Sequence, residues 1–292
     1  MPYLYLLTAV VLMSILNILG AGFNKKQTGT ENVTPFYNLL LVCSALCTWG
    51  VIYAFDFSFE VRVLPYSLLF GVCYAGIAIS LIKALGAGPT LLTSLIQQLS
   101  LIGVSVWGFL FWGTWNVEKA PLVLTGLALV VVSLALCLYS GEKSDKKITW
   151  KWMGYVAIVF VVTAGASIVQ KAEQIAFYGE HGAMFMFFGV MVAVVICLVN
   201  FLIGGKADIR KMFRSAHPYA IGAGMSSALG NLFVVLLATT ELSPNLVYPT
   251  LAVGCLALTS VVSVFLFKEK LAWWQWVGAL VGTVAVALLS IA

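Results

Sequence analysis

The longest polar connector of this chain is residues 140–149, SGEKSDKKIT, which carries two acidic and three basic side chains. It lies near the midpoint of the 292 residues, with apolar runs on both sides. A helix needs about 20 apolar residues to cross a bilayer. Working outward from the connector, five such runs precede it and five follow it, at residues 3–23, 34–55, 64–84, 90–112, 121–139, 151–170, 182–203, 218–238, 245–267 and 273–291.

The composition predicts that most of this chain is in contact with lipid. Hydrophobic residues make up 62% of the sequence and charged residues only 9%, with a mean hydropathy of +1.03. Soluble domains contain about 25% charged residues. Helices in a bilayer can turn apolar side chains outward, because their backbone hydrogen bonds are satisfied internally. The sequence therefore predicts an all-α integral membrane protein of ten transmembrane helices, with the lipid bilayer as a partner.

The charges and the cysteines exclude other classes of protein. The net charge of +5 is spread over short connectors and is not gathered on one face, so we expect no nucleic acid partner. The six cysteines lie inside apolar runs without metal-ligand spacing, which is typical of small packing residues. We therefore expect no metal site and no cofactor.

The two flanks of the connector carry matching short segments in the same order, which predicts two related copies. Since each copy holds five spans, an odd number, the copies must cross the membrane in opposite orientations around a central cavity. The predicted division is a first repeat at residues 1–140, a charged linker at 141–149 and a second repeat at 150–292. The matched pairs are Phe23-Asn24-Lys25 with Val169-Gln170-Lys171, Pro65-Tyr66 and Gly71 with Pro218-Tyr219 and Gly224, Gly88-Pro89 with Ser243-Pro244, 109–111 with 265–267, and 126–129 with 278–281.

The basic residues and the tryptophans predict how the spans sit in the membrane. Connectors that follow odd-numbered spans hold all but three of the sixteen lysines and arginines; the exceptions are Arg62, Lys119 and Lys171. By the positive-inside rule these connectors are cytoplasmic, both termini lie outside, and the location is the cytoplasmic (inner) membrane. Tryptophans at span ends are expected to be interfacial anchors: Trp112, Trp115, Trp150, Trp152, Trp273, Trp274 and Trp276.

The second half contains ATTELSP at 238–244, Tyr248-Pro249, FLFKEKL at 265–271 and QWVG at 275–278. This set of segments resembles the EamA-type repeat of the drug/metabolite transporter superfamily. The resemblance covers the whole chain as two copies, of which the first departs from the pattern. Ser94 stands where Pro249 predicts proline, and Gly113-Thr114 where Glu269 predicts the acid. The resemblance implies a ten-helix basket with a central cavity and alternating access, and it implies no particular substrate.

Polar side chains within the spans are the candidates for a substrate site, because at this depth they usually face a cavity or another helix. Serines can instead bond to their own helix, amides can bridge neighbouring helices, and Lys171 can extend to the interface. If Lys171 does face the cavity, the substrate carries a carboxylate or phosphate. The candidate substrate-binding residues are Asn17, Tyr74, Ser94, Gln97, Gln98, Ser167, Gln170, Lys171, Ser227, Asn231 and Tyr248.

The sequence favours transport over catalysis. It contains no H-E-x-x-H or G-x-S-x-G motif and no pair of intramembrane aspartates. We therefore expect that the chain is not an enzyme. No acid lies in the middle of a span, which disfavours proton coupling through a central carboxylate. The sequence thus predicts a secondary transporter, monomeric or homodimeric, for a small polar or amphipathic metabolite. Translocation of a lipid or a lipid-linked head group is the alternative, and a channel fits less well.

Overall fold

The computed structural model describes residues 2–26, 33–88, 90–100, 102–111, 120–139, 149–203, 209–238, 240, 242, 244–267 and 273–291, and for some helical positions it describes the backbone alone. The predicted linker falls almost wholly outside these ranges. Described residues form α-helices and one 3-10 turn, Val61–Val63, without a strand. The helices are α1 (Pro2–Lys26), α2 (Val33–Phe55), α3 (Leu64–Ala87), α4 (Thr90–Leu99), α5 (Ile102–Phe111), α6 (Ala120–Tyr139), α7 (Trp150–Phe177), α8 (Gly182–Ile203), α9 (Ile209–Ala238), α10 (Pro244–Phe267) and α11 (Trp273–Ile291).

Six of the described helices are long and apolar enough to cross a membrane: α1, α2, α3, α7, α8 and α9. Their outward faces are also apolar. On α1, for example, Leu4 and Leu7 are exposed, whereas the small residues Ala9 and Ser14 are buried. Such an exterior is stable only against lipid, because in water it would form one large apolar patch. The structure therefore confirms an all-α, multi-pass membrane protein.

Two helices extend well beyond the apolar runs that predicted them. The prediction for the sixth span ended at residue 170, but α7 continues to Phe177; the prediction for the eighth began at 218, but α9 begins at Ile209. Both extensions contain charged residues, which lower the hydropathy without lowering helix propensity. Glu173 is buried in the first extension, and Arg210 is exposed in the second.

The fourth span is two helices, so the prediction of one continuous helix over 90–112 is wrong. The backbone N–H of Ser100 is shared between the carbonyls of Ile96 and Gln97 at 3.2 and 3.3 Å, and the N–H of Gly103 donates to the Ser100 carbonyl at 3.0 Å. The bonds from Ser100 to Gln97 and from Gly103 to Ser100 span three residues, as in a 3-10 turn, whereas the bond from Ser100 to Ile96 is α-helical. The α-helical ladder is interrupted between α4 and α5.

Helices that precede the linker pack mainly against helices that follow it. Helices α1 and α2 lie along α9, α3 lies between α7 and α8, α4 contacts α10, and α6 pairs with α11. Glycines allow the closest approaches. A Cβ atom at Gly71 of α3 would overlap the Gly189 carbonyl of α8, and one at Gly224 of α9 would overlap the Leu41 carbonyl of α2.

One of the predicted interfacial anchors is a packing residue. Trp152 is only 1% exposed, and its indole N–H donates to the hydroxyl of Thr93 at 2.9 Å. Its ring also fills the space beside Gly88, where a Cβ would overlap it. The expectation that Trp152 lies at the lipid interface is therefore wrong, whereas Trp150 at the same helix end is 86% exposed. The partner at Thr93 accounts for the difference, because a buried indole N–H needs an acceptor.

Candidate functional site

A cavity with an empty volume of about 690 Å³ lies between α1, α3, α4, α7 and α9. We call it the central cavity. It takes side chains from both sides of the linker. Its apolar lining includes Met13, Leu16, Phe70 and Ile77. The polar lining brings together seven of the predicted residues, Asn17, Tyr74, Gln97, Ser167, Gln170, Ser227 and Asn231, and adds Thr163.

Four polar atoms of the lining are buried without a hydrogen-bond partner among the described residues. They are Asn17 Oδ1, Gln97 Oε1, Gln170 Nε2 and Thr163 Oγ1. An unsatisfied buried polar group costs about 1–3 kcal/mol, so four of them in one cavity favour a bound polar molecule or water. None of the described lining residues is charged. The cavity thus offers both acceptors and donors without a net charge.

The remaining polar groups of the lining are bonded to each other or to their own helices. The hydroxyls of Tyr74 and Ser227 share a hydrogen bond of 2.8 Å that joins α3 to α9 across the cavity. Asn231 Nδ2 donates to the Ser227 carbonyl at 2.9 Å, and the Ser167 hydroxyl donates to the Thr163 carbonyl at 3.0 Å. These contacts orient the walls and leave the four unpartnered atoms to meet a ligand.

A second cavity, of about 450 Å³, adjoins the central cavity and is almost wholly apolar. The two share Leu16, Asn17, Tyr74, Ile77 and Ser227 in their linings. We call the second one the apolar cavity; its remaining walls include Leu41, Leu81 and Leu85. This cavity could not be predicted from the sequence, because aliphatic residues that line a cavity cannot be distinguished in a sequence from those that fill a core.

The predicted residues Lys171 and Tyr248 lie at a third cavity, of about 470 Å³. This lysine cavity is also lined by Gln174, Thr240 and the aliphatic residues Val234, Leu237, Leu242 and Val247, and it shares no lining residue with the central cavity. Tyr248 is buried and Lys171 is half-buried. The structure therefore places the predicted residues in two sites.

Among the predicted residues whose side chains the structure describes, Ser94 is in neither site. Ser94 is buried on α4, its hydroxyl has no partner among the described residues, and it lines none of the three cavities above. The side chain of Gln98 lies outside the described part of the structure. The spacing of Ser94 and Gln97 placed them on one face of α4, but that face is wider than the cavity.

A buried carboxylate lies close to this region and was not among the predicted site residues. Glu173 is 1% exposed, and both of its carboxylate oxygens lack a hydrogen-bond donor among the described residues. It follows Gln170 by three residues on α7, so the two side chains leave the helix on the same side. Glu173 lines neither the central nor the lysine cavity.

These features define a helical membrane protein with an uncharged polar cavity between the parts of the chain before and after the linker. No protein-family model and no curated protein matches the sequence. A solved structure described only as "Crystal structure of protein" superposes with a TM-score of 0.63 over 98% of this chain and 94% of that chain, at 13% sequence identity. At this identity the likeness shows a shared fold and nothing further.

Proposed function

We propose that the chain is a secondary transporter that carries a small polar or amphipathic metabolite by alternating access, and that it is of the drug/metabolite transporter type. The observation that carries the proposal is the central cavity. Four of its lining residues, on α1, α4 and α7, each carry a polar atom that is buried without a partner among the described residues, in a bundle whose exterior is apolar. Intramembrane polar groups at a cavity between two halves are typical of secondary transporters.

The helix contacts support an inverted repeat. Each of the five helices α7 to α11 corresponds to one of the first five spans, with α4 and α5 together forming the fourth. When each helix is replaced by its counterpart in the other half, the α1–α9 contact corresponds to α3–α7, and the α2–α9 contact corresponds to α3–α8. The contacts α2–α8, α4–α10 and α6–α11 each correspond to themselves, because their two helices are counterparts. The related glycines Gly71 and Gly224 also meet related carbonyl-bearing helices.

The order of the cavities along the helices supports opposite orientations of the halves. From the first to the last residue, α1 passes the central cavity at Met13 and then the apolar cavity at Gly20. Helix α7 passes the central cavity at Thr163 and then the lysine cavity at Gln174. Helix α9 contacts the apolar and central cavities at Ser227 and the lysine cavity at Leu237. Helix α1 is therefore antiparallel to α7 and α9, as two inverted copies require.

The lining favours a substrate with an uncharged hydrogen-bonding part and an apolar part. The first part fits the amides of Asn17, Gln97 and Gln170, and the second fits the adjoining apolar cavity. The same pair of cavities also suits the lipid-linked head group of the alternative function. The two functions differ in the compound that binds: metabolite transport requires a water-soluble compound, and the alternative requires one that is linked to a lipid.

The test is a binding and transport comparison of two amide variants. A thermal-shift screen of purified protein with amino acids, amines and aromatic vitamins identifies a ligand, since a ligand of the native state stabilises it in proportion to occupancy. Counterflow of that ligand in proteoliposomes then measures transport. We expect Gln97→Leu to weaken binding at least about tenfold and to abolish counterflow with little loss of stability, because the side-chain oxygen of Gln97 has no partner to lose among the described residues.

Asn24→Leu is the matched control. Asn24 Nδ2 donates to the carbonyls of Gly20 and Ile82 and so joins α1 to α3, and it lines none of the cavities. Its loss should lower thermal stability and leave ligand affinity unchanged. Normal transport by the Gln97→Leu variant would contradict the proposed site. Stabilisation by a lipid-linked sugar, with none by any soluble compound, would favour the alternative function.

A further inference from the structure

The lysine cavity lies at one end of the central cavity, and helices α7 and α9 line both. On α7 the central cavity ends at Gln170 and the lysine cavity begins at Lys171. On α9 Asn231 lines the first and Val234 the second. The residues Thr240 and Leu242, which follow α9 in the chain, form part of the wall of the lysine cavity. The lysine cavity is therefore at the end of the bundle where α7 and α9 stop, and a molecule that leaves the central cavity in this direction meets it.

The polar groups of the lysine cavity are suited to donate hydrogen bonds. Lys171 supplies an ammonium with three donors and Tyr248 a hydroxyl. Gln174 is 6% exposed, and its Nε2 amide nitrogen is buried without an acceptor among the described residues. Lys171 and Gln174 are three residues apart, so both side chains leave α7 on one side.

The lysine charge is not neutralised within the described part of the chain. None of the described lining residues is acidic, and the ion pair found among described residues joins Arg62 to Glu60. The buried carboxylate of Glu173 does not line this cavity. An ammonium and an unpartnered amide N–H on two residues that line one cavity suit an oxyanion, because hydrogen bonds in which one partner is charged are stronger than those between neutral groups.

We propose that the lysine cavity binds the carboxylate of a metabolite on its way to or from the central cavity, so that the transported compounds are small organic acids or amino acids. This inference rests on the proposed function and adds the class of substrate. In the neutral central cavity the amides hold the uncharged polar part of the molecule. Lys171 holds the carboxylate at the mouth, with Gln174 and Tyr248 beside it.

The test uses acids paired with their uncharged amides. Purified full-length protein in phospholipid-free detergent is titrated, at constant ionic strength, with benzoate and benzamide, phenylacetate and phenylacetamide, and phenylalanine and phenylalaninamide. Thermal unfolding gives the apparent affinity of each. We expect at least one acid to bind at least about tenfold more tightly than its amide. Lys171→Gln should lower the affinity for that acid roughly tenfold to a hundredfold and leave the affinity for its amide unchanged.

Three variants separate charge recognition from general damage. Lys171→Arg should keep the preference for the acid, since it keeps the charge. Gln174→Leu should lower the affinity for the acid by a smaller factor. This variant also serves as the test if Lys171→Gln does not fold. Lys151→Gln removes an exposed lysine from the other end of the same helix and should change nothing. The proposal is overturned if no acid binds more tightly than its amide, or if the preference survives Lys171→Gln.

The outcomes also separate this inference from the proposed function. If compounds bind through Gln97 without any preference for acids, the transport site stands and the carboxylate site fails. If acids bind through Lys171 while Gln97→Leu transports normally, the carboxylate site stands and the central site fails. If phosphatidylglycerol added to the same detergent stabilises the wild type through Lys171 and displaces the acids, the occupant is a lipid phosphate and the carboxylate proposal is overturned.

Discussion

The role of a side-chain amide in this protein depends on whether it has a hydrogen-bond partner within the protein. Asn24 and Gln170 occupy matching positions in the two predicted copies. The Asn24 amide donates to backbone carbonyls on α1 and α3, whereas Gln170 lines the central cavity and its amide nitrogen is buried without a partner among the described residues. An amide with a protein partner ties helices together, and one without a partner is available to a ligand.

Glu173 gives a prediction at the scale of one residue. An ionised carboxylate buried without a donor costs several kcal/mol, and glutamine has the same shape without the charge. We expect Glu173→Gln to raise the free energy of unfolding by at least about 1 kcal/mol, measured by thermal unfolding in detergent at pH 8. Glu180→Gln, at an exposed position shortly after α7, is the control and should change stability by less than about 0.5 kcal/mol. A loss of stability in Glu173→Gln would show that the carboxylate has a stabilising partner.

Part of the site could be predicted from residue types alone. Amides are expensive to place in apolar helices, and Asn17, Gln97 and Asn231 do converge on one cavity. The sequence could not separate Lys171 from Gln170, because adjacent residues of a helix differ by about 100° in direction and only the neighbouring helices determine what each one meets. It also could not reveal Phe70 or Met13, since their lining role depends on an empty space beside them.

At the scale of helices, close packing between the two parts of the chain depends on glycine. The Gly71 and Gly224 positions admit the backbone of the facing helix, and their place in the matched segments makes them equivalent. Gly282 has a related use on α11, where a Cβ would meet the Ser133 hydroxyl of α6, and this hydroxyl donates to the Gly278 carbonyl at 2.6 Å. Gly278 and Gly282, which are four residues apart in a GxxxG pattern, thus pack against α6 within the bundle.

A pair of alanine variants tests this packing. In a helix interior, glycine to alanine normally stabilises by about 0.5–1 kcal/mol. At Gly224 the new Cβ would overlap the Leu41 carbonyl and the Ser44 hydroxyl, so we expect Gly224→Ala to destabilise by about 1–3 kcal/mol. Gly154→Ala on α7 is the control, because a Cβ there meets nothing within 4 Å, and it should stabilise. Melting temperatures in one detergent compare the two, and stabilisation by both would contradict the contact.

Helix positions were predictable and helix ends were less so. Hydropathy identified every described helix, but it shortened α7 because Lys171 and Glu173 interrupt the apolar run. The missed extension is the part that carries Glu173 and one wall of the lysine cavity. The break between α4 and α5 was also not predictable, because Ser100 and the residues around it are ordinary in a transmembrane helix.

At the scale of the whole molecule, the helix contacts repeat when the two halves are exchanged, while the cavities do not. The apolar cavity lies at the end of α1 and α3, and the lysine cavity at the end of α7 and α9. In the proposed inverted repeat, the two copies thus carry chemically different cavities toward the two ends of the bundle.

The orientation in the membrane gives a prediction for the intact protein. The distribution of lysine and arginine predicts that both chain ends lie outside and that the linker at 141–149 is cytoplasmic. Alkaline phosphatase, which is active only outside, should be active when fused to the C-terminus and inactive when inserted in the linker. Green fluorescent protein should give the reverse pattern. The opposite result at both positions would invert the topology, and matching results at the two positions would contradict an odd number of spans in the second half.

The absence of charge among the described residues of the central cavity has an electrical consequence. Moving one elementary charge through a potential of 100 mV changes its energy by about 2.3 kcal/mol. In the proposed cycle the side chains that line the central cavity bring no fixed charge into the field when the empty protein reorients. At the central cavity, the voltage across the membrane then acts through whatever charge the cargo itself carries.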